Sequence, residues 1–351
     1  MSEPGAYRRD PLTGDWMIIA PARLHVSRAI RAASPPTRGP ALPPLLGSCP
    51  FCPGNEALTA HITSRVPAEG PWRVRTVRNK YSAVLPQQAA PAPAEGAAAA
   101  PAPGSGLRLE SLPAEGLQEV IIDGPEHDLE LPDLPRERLV ELFGVYRDRL
   151  AFFEAMEGIA QVSLFRNRGL RSGSSQPHPH GQVAASAVLG SIAERRWARA
   201  LAHHERTGRR LLEDLLEAEL RAKARVLHET ESLVALMPFA PHHPYETWIV
   251  PRRPESSFSL VSEATLGELA ALFAPLLPAL LEASGRYGHN LVWRLPPVHA
   301  RAHPAAAWHL ELLPRGGCGG GLELSTGFTL LGISPERAAG EVREALDRGR
   351  P

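Results

Sequence analysis

The order of predicted elements recurs twice along the 351-residue chain, and this repetition limits the fold more than any other feature. In the first half, the residue pattern predicts a strand at 119–123, a helix at 136–156, a strand at 161–165, a Gly/Ser-rich loop at 167–176 and a strand at 178–185. In the second half it predicts a strand at 246–250, a helix at 263–284, a strand at 290–295, a loop at 296–306 and a strand at 308–313. The simplest account is a duplicated α+β unit, with antiparallel sheets and packed helices.

The repeat divides the chain into a first unit at 1–190 and a second unit at 191–351. A charged helical segment at about 193–225 follows the boundary. Two segments, 34–47 and 87–106, are rich in Pro, Ala and Gly and show no apolar period. Such segments cannot bury a face, so we expect both to be exposed or disordered insertions in the first unit.

Composition excludes several classes of protein. The 38 basic residues balance 38 acidic residues, so neither a nucleic acid nor an anionic membrane is expected as a partner. The longest apolar stretch, 270–283, is short for a bilayer and is interrupted by Pro275 and Pro278. The N-terminus carries no apolar segment of the kind found in secretion signals, and we therefore expect a cytoplasmic protein.

The segment from Phe165 to Gln182, FRNRGLRSGSSQPHPHGQ, is the richest in reactive side chains. Side chains alternate along a strand, so His178, His180 and Gln182 are expected on one face. The preceding loop offers backbone N–H groups and hydroxyls to a phosphate ester. A histidine nitrogen is a competent nucleophile toward phosphorus and would form a covalent phosphoramidate. The alternative is an exposed His-Pro-His turn without a function.

Cys49 and Cys52 have the spacing of a metal-binding pair. Zinc prefers four thiolate or imidazole ligands, and such a pair usually supplies two of them. His127 and His178 are the candidates for the other two. A redox pair, or chance spacing, is the alternative.

Six segments of the chain together carry a family likeness. They are CPFCPGN at 49–55, NKYSA at 79–83, HPHGQ at 178–182, PYETWIVPRR at 244–253, WHLELLPR at 308–315 and GLELSTG at 321–327. In this combination the chain resembles the galactose-1-phosphate uridylyltransferase family of the histidine-triad superfamily. The resemblance implies duplicated histidine-triad-like units and a homodimer whose active sites are built partly from the partner subunit. It also implies ping-pong transfer of UMP between UDP-glucose and galactose 1-phosphate through a uridylyl-histidine.

The resemblance also assigns roles to particular residues. His180 matches the nucleophile and Gln182 the amide that steadies the uridylyl group. The remaining matches are Asn167, Gly173, Ser174 and Ser175 for the phosphate-contacting loop, Arg23 for a basic residue near the substrate phosphates, Asn79 for a uridine-side position, and Cys49, Cys52, His127 and His178 for one structural zinc site.

The second unit departs from the family pattern. Many relatives carry a His-x-His pair in a second metal cluster, whereas here the three residues are Ala307, Trp308 and His309, so a second metal is not expected. His309 and Glu311 occupy the places of His180 and Gln182. The loop before them lacks Gly and Ser, and we therefore predict one active centre per chain.

Two other functions are compatible with this sequence. A nucleoside-diphosphate-sugar or dinucleotide phosphorylase would use the same histidine but pass the nucleotidyl group to inorganic phosphate. A zinc-stabilised nucleotide-binding module without turnover is the third possibility. The intact HPHGQ segment disfavours that module, because binding alone needs no nucleophile.

Overall fold

The computed structural model describes residues 5–24, 42–86, 111–253, 255–316 and 320–349. The predicted insertion at 87–106 lies outside the described residues, as does the insertion at 34–47 up to residue 41. Residues 43–47 are exposed and belong to neither helix nor strand, as expected for that part of the insertion.

The described part of the chain alternates short strands with longer helices. The strands are β1 Ala6–Arg9, β2 Trp16–Ile19, β3 Ile62–Val66, β4 Val74–Arg78, β5 Gly116–Ile122, β6 Gln161–Arg168, β7 His180–Ser186, β8 Val226–Glu229, β9 Leu233–Leu236, β10 Thr247–Pro251, β11 His289–Arg294, β12 His309–Pro314 and β13 Thr329–Leu331. The helices are α1 Arg136–Glu154, α2 Ser191–Thr207, α3 Leu211–Ala222, α4 Glu263–Ser284, α5 Gly321–Thr326 and α6 Pro335–Arg348.

Ten antiparallel strands form one continuous sheet in the order β3-β4-β5-β7-β6-β11-β12-β10-β9-β8. Each half of the chain supplies five of these strands, and the halves meet where β6 pairs with β11. The predicted duplication is confirmed: β5-α1-β6-loop-β7 in the first half matches β10-α4-β11-loop-β12 in the second. Each half of the chain also adds a hairpin to the large sheet, β3–β4 or β8–β9, that the pattern did not predict.

A second, three-stranded sheet joins the two ends of the chain. Strands β1 and β2 pair with each other, and β13 runs parallel to β2. The first residues of the chain therefore pack with its C-terminal part. The division at residue 190 stays a prediction, since both sheets contain strands from either side of it.

The main core lies between the large sheet and helices α1, α4 and α6. On β7, Val183 and Ala185 are fully buried in this core, and Gly181 faces Tyr146 of α1. Each buried aliphatic or aromatic side chain stabilises the fold by roughly 1.5–3 kcal/mol. Because side chains alternate, this apolar face places His180 on the opposite side of the sheet.

Helix α4 matches its predicted bounds. It begins after Ser262, whose hydroxyl accepts a hydrogen bond from the Thr265 amide, and ends at Gly285 in the left-handed conformation. Pro275 and Pro278 interrupt the apolar stretch of sequence, but one helix continues through both. By length and composition alone this helix could cross a membrane, and 56% of its most apolar window is buried inside the fold. Packing against α1 and α6 offsets the lost helix hydrogen bonds.

The predicted charged helix at 193–225 is two helices, α2 and α3, separated at Gly208. Leu212 and Leu216 of α3 pack on Trp248 and Val250 of β10, forming a second apolar cluster. Trp248 lies directly opposite Glu311 in the sheet. Helices α2 and α3, the linker helices, therefore cover one face of the sheet in the second unit. The equivalent face in the first unit carries His180.

Candidate active site

Strand β7 begins at His180, two residues later than predicted. Pro179 has no N–H to donate to a sheet ladder, so His178 and Pro179 precede the strand. The side chain of His178 turns toward Cys49 and Cys52, while its carbonyl oxygen turns toward His180. His180 and Gln182 share the sheet face opposite α1, as predicted.

A backbone hydrogen bond determines which nitrogen of His180 is free. Nδ1 lies 2.9 Å from the His178 carbonyl oxygen. A carbonyl only accepts, so Nδ1 carries the proton and Nε2 keeps its lone pair. Burial lowers the pKa of His180, and Arg166 and Arg168 lower it further, against the opposing effect of Asp123. The imidazole is therefore neutral at pH 7, in the tautomer that presents a nucleophilic Nε2.

The carboxamide of Gln182 is oriented by two donors. Gln118 Nε2 lies 2.9 Å from Gln182 Oε1, and Asn79 Nδ2 lies 3.4 Å from the same oxygen. With its oxygen occupied, Gln182 has its NH₂ group left to donate. The sequence predicted Asn79 but not Gln118. The available signal was that Gln118 is a polar residue within the mostly apolar strand β5.

The loop that is predicted to contact phosphate is held from the second unit. Asn167 lies on β6 rather than in the predicted loop, because the strand extends to Arg168. Asn290 of β11 is directly opposite Asn167 and donates to its Oδ1 at 2.6 Å and to the Ser172 carbonyl oxygen at 2.8 Å. Sequence reasoning missed Asn290, which belongs to the other half of the chain.

The other predicted loop residues follow closely. Gly173 has a φ of 86°, and a Cβ there would lie 3.6 Å from Asn167 Nδ2. The hydroxyl of Ser174 donates to the Gln176 carbonyl oxygen at 2.8 Å, whereas Ser175 is exposed. The structure therefore brings Gly173 next to Asn167 and holds Ser174 within the loop.

A buried ion-pair network supports this region from behind. Asp123 accepts hydrogen bonds from Tyr146 Oη at 2.9 Å and from Arg166 Nε at 2.8 Å. Arg168 Nη1 donates to the Pro177 carbonyl oxygen at 2.8 Å, which anchors the chain just before the two histidines. Burial acts to lower the pKa of Arg166, but its acidic neighbours outweigh this effect. The pKa is therefore raised above its usual value, and the guanidinium stays charged.

Arg23 is exposed on a short 3-10 helix, Pro21–Arg23, at the edge of the three-stranded sheet. The hydrogen bonds and ion pairs of the described residues do not link it to His180 or Asn167.

Four predicted metal ligands converge in one buried group, Cys49, Cys52, His127 and His178, whose ligand atoms all lie within 4.8 Å of one another. Cys52 Sγ is 3.4 Å from His127 Nδ1 and 3.6 Å from His178 Nδ1, and Cys49 Sγ is 3.7 Å from His178 Nδ1. Tetrahedral zinc bonds place such ligand atoms about 3.4–3.8 Å apart. The group can therefore hold one metal ion.

Hydrogen bonds to the predicted ligands orient them toward a common centre that a cation could occupy. His178 Nε2 donates to the Gly124 carbonyl oxygen at 2.9 Å, which leaves the Nδ1 lone pair facing the thiols. The backbone amides of Phe51 and Leu46 each donate to a cysteine sulfur at 3.4 Å. Burial raises the pKa of the Cys49 thiol, an effect that a bound divalent cation opposes.

In the second unit, the counterpart of His180 has its Nε2 already engaged. Arg196 of α2 lies with Nη2 2.9 Å from His309 Nε2 and with Nη1 3.3 Å from Glu311 Oε1. His309 Nε2 also lies 3.3 Å from Glu311 Oε1, so the guanidinium and the carboxylate together occupy this nitrogen. Burial, followed by Arg196, lowers the pKa of His309 to about 4. The same strand position thus holds a free imidazole nitrogen in one unit and an occupied one in the other.

Comparisons with known proteins agree with this geometry. Residues 5–189 match the family model described as galactose-1-phosphate uridyl transferase, N-terminal domain. The chain is 27% identical over 343 residues to an ADP-glucose phosphorylase of Arabidopsis thaliana, covering 96% of this chain and 92% of the relative. It is also 27% identical over 269 residues to the galactose-1-phosphate uridylyltransferase of Haemophilus influenzae, covering 77% and 72%.

Among solved structures, the chain is similar to an Arabidopsis thaliana ADP-glucose phosphorylase with bound ADP-glucose. The TM-score is 0.77 at 25% sequence identity, over 97% of this chain and 99% of that one. The family match spans more than half of the chain and contains the paired histidines, the glutamine and the Cys₂His₂ group. The chain belongs to the galactose-1-phosphate uridylyltransferase family.

Proposed function

We propose that this protein transfers a nucleotidyl group from a nucleoside-diphosphate sugar to a phosphate-bearing acceptor, with His180 as the covalent carrier. The hydrogen bond between His180 Nδ1 and the His178 carbonyl oxygen carries the proposal, because it leaves Nε2 free to attack. Family membership and the activities of the relatives support the same chemistry.

The transfer takes place in two displacements. The Nε2 lone pair of His180 attacks the α-phosphorus, forming an N–P bond while the bond to the bridging oxygen breaks, and the sugar 1-phosphate leaves. The ring enters neutral and becomes cationic, and its Nδ1–H stays bonded to the His178 carbonyl oxygen. A phosphate oxygen of the acceptor then attacks, the N–P bond breaks and neutral His180 is restored.

Neighbouring side chains hold the phosphates during both steps. The NH₂ group of Gln182 donates to a non-bridging oxygen of the transferred group, since its own oxygen is bonded to Gln118 and Asn79. Asn167 and the loop residues Gly173, Ser174 and Ser175 supply the other donors. Such preorganised donors stabilise the charge that develops on the phosphoryl oxygens.

We propose that zinc occupies the Cys₂His₂ group as a structural ion. Four protein ligands complete a tetrahedral shell and leave no position for water or substrate. When bound, zinc ties Cys49 and Cys52 to His178. His178 is also the residue whose carbonyl oxygen orients His180, so the metal supports the nucleophile through the backbone.

Two acceptors are compatible with this mechanism. UMP transfer between UDP-glucose and galactose 1-phosphate is the reaction that the family resemblance implies, and several relatives are named galactose-1-phosphate uridylyltransferase. An ADP-glucose phosphorylase, which would use inorganic phosphate, is favoured by the Arabidopsis relative that aligns along almost the whole chain. Both reactions pass through the same nucleotidyl-histidine.

The test is a two-stage labelling experiment. The protein is mixed with UDP-glucose or with ADP-glucose and no acceptor, and intact-mass analysis should show one nucleotidyl group per chain. Galactose 1-phosphate or inorganic phosphate is then added to the isolated labelled protein. The pair that clears the label and gives product identifies the reaction.

Matched variants locate the label. His180→Ala should give no adduct and lose several orders of magnitude of rate, while His309→Ala should label like the wild type. Labelling of His180→Ala, or a stoichiometry near two, would contradict the proposal.

We also propose a homodimer, which the family resemblance implies. Among the described residues, no hydrogen bond or ion pair joins Arg23 to His180, and Tyr7, Trp16 and Leu324 are exposed near the three-stranded sheet, by 65%, 45% and 83%. A second copy would supply Arg23 to the active site and cover these side chains. Light scattering should give twice the chain mass. Location in the cytoplasm stays a prediction.

A further inference from the structure

A cleft opens in the second unit between helix α2 and strands β11 and β12. The space between its lining atoms amounts to about 480 Å³, which includes open solvent, so the cleft is a half-open depression at the surface. Its polar residues include Arg196, Arg294 and His309, and its walls include Leu12, Trp197 and Pro297. None of the described residues that line it is acidic.

Two arginines lie closer to the surface of the cleft than the carboxylate with which they pair. Arg294 Nη2 lies 2.7 Å from Glu311 Oε2, and Arg196 Nη1 lies 3.3 Å from Glu311 Oε1, so two guanidiniums share one carboxylate. Arg294 leaves 29% of its side chain exposed and Arg196 leaves 15%, whereas Glu311 exposes 3%. The carboxylate lies beneath the guanidiniums, and the cleft presents the cations.

The acids deeper in this region do not cancel that charge at the surface. Asp10 is buried and lies 3.1 Å from His242 Nε2, and the side-chain oxygens of Glu246 accept from Trp248 Nε1 and from backbone amides. Both carboxylates are absent from the lining residues. An anion in the cleft therefore meets guanidinium groups first.

We propose that this cleft is a second, non-catalytic binding site for a small organic phosphate. Arg196 and Arg294 would bind the phosphate, and the apolar walls with Trp197 would contact the group that carries it. No covalent step occurs there, because Arg196 and Glu311 already contact His309 Nε2. The site lies on the covered face of the second unit and does not depend on the chemistry at His180.

Crystals of the full-length protein soaked in tungstate, an anomalous phosphate mimic, provide the first test. We expect an anomalous peak between Arg196 and Arg294, in addition to any peak near His180. A map with tungstate at His180 and none in the cleft would overturn the proposal.

Binding stoichiometry provides the second test, with labelled UMP in equilibrium dialysis. Wild-type protein should bind two UMP per chain, and Arg294→Gln should bind one. Ala200→Leu, which fills the cleft without changing its charges, should also bind one, and it covers the case in which Arg294→Gln folds poorly. Arg195→Gln is the control, since Arg195 is 51% exposed on α2, outside the lining residues, and should bind two. One UMP in the wild type, or two in both cleft variants, would refute the site.

Discussion

His180 and His309 occupy the same position in two copies of one unit and differ in the partner of a single nitrogen. In the first unit a backbone carbonyl accepts a hydrogen bond from Nδ1–H, and Nε2 is free. In the second unit Arg196 and Glu311 both contact Nε2. The chemical difference between the two units is thus whether Nε2 is free or occupied, and the local sequence pattern does not show the Arg196 contact.

Gly181, between the two functional side chains of β7, has no room for a methyl group. An added Cβ would lie 2.5 Å from Tyr146 Oη and 2.8 Å from Tyr146 Cζ. We expect Gly181→Ala to lower the free energy of unfolding by about 1–3 kcal/mol through overpacking. Urea unfolding measures the change. The control is Gly144→Ala in α1, where the nearest atom is 3.9 Å away and a gain of up to about 1 kcal/mol is expected. Equal stability of Gly181→Ala and wild type would show that Tyr146 moves freely.

Removal of one metal ligand should affect both metal content and stability. We expect wild-type protein to contain about one zinc per chain, and Cys52→Ser to lose most of it with a loss of several kcal/mol, because metal binding is linked to folding. Elemental analysis and thermal unfolding measure the two effects. Ser48→Ala, an exposed neighbour, should change neither. Zinc-free protein with the wild-type melting temperature would contradict the structural role.

At the scale of elements, the contact between β6 and β11 joins the active-site loop to the other unit. Asn290 makes two hydrogen bonds across this contact, to Asn167 and to the Ser172 carbonyl oxygen. We expect Asn290→Ala to lower kcat/KM for nucleotidyl transfer by roughly 10-fold, since a misplaced loop loses part of its orientation. Steady-state kinetics measures the change.

Ser163→Ala is the control for that variant, because Ser163 also lies on β6 but bonds only locally, with the Gln161 side chain at 3.1 Å. It should keep the wild-type kcat/KM. If Asn290→Ala also kept it, the loop would be positioned without the second unit.

For the whole molecule, neutral buried histidines predict a loss of stability in mild acid. Burial, as the largest cause, lowers the pKa of His309 to about 4, that of His243 to about 4 and that of His289 to about 3. Between these values and the ordinary pKa of about 6.5, the unfolded chain binds protons that the folded chain does not. Stability should therefore decrease as the pH falls from about 6.5 to about 4.

His309→Gln isolates one of these contributions and keeps an acceptor for Arg196. Between pH 7 and pH 5 the wild type should lose about 1–2 kcal/mol more than this variant, measured by urea unfolding at both pH values. His228→Gln, an exposed residue on β8, is the control and should follow the wild type. Parallel pH profiles for wild type and His309→Gln would contradict the neutral state of His309.

The sequence by itself determined the repeated order of elements and the metal group formed by Cys49, Cys52, His127 and His178. Helix and strand periods are local, and thiol and imidazole ligands are recognisable by residue type and spacing. It also singled out His180 and Gln182, whose shared face follows from alternation along one strand.

Only the tertiary structure decided which residues support or block that chemistry. Gln118 and Asn290 reach the site through strand register, across 64 residues in one case and 123 in the other. Whether His309 Nε2 is free or occupied depends on the linker helices, which pack on the second unit and place Arg196 next to this nitrogen. Such contacts join segments far apart in the chain, and the packing of sheets and helices determines their geometry. A local sequence pattern therefore cannot predict these contacts.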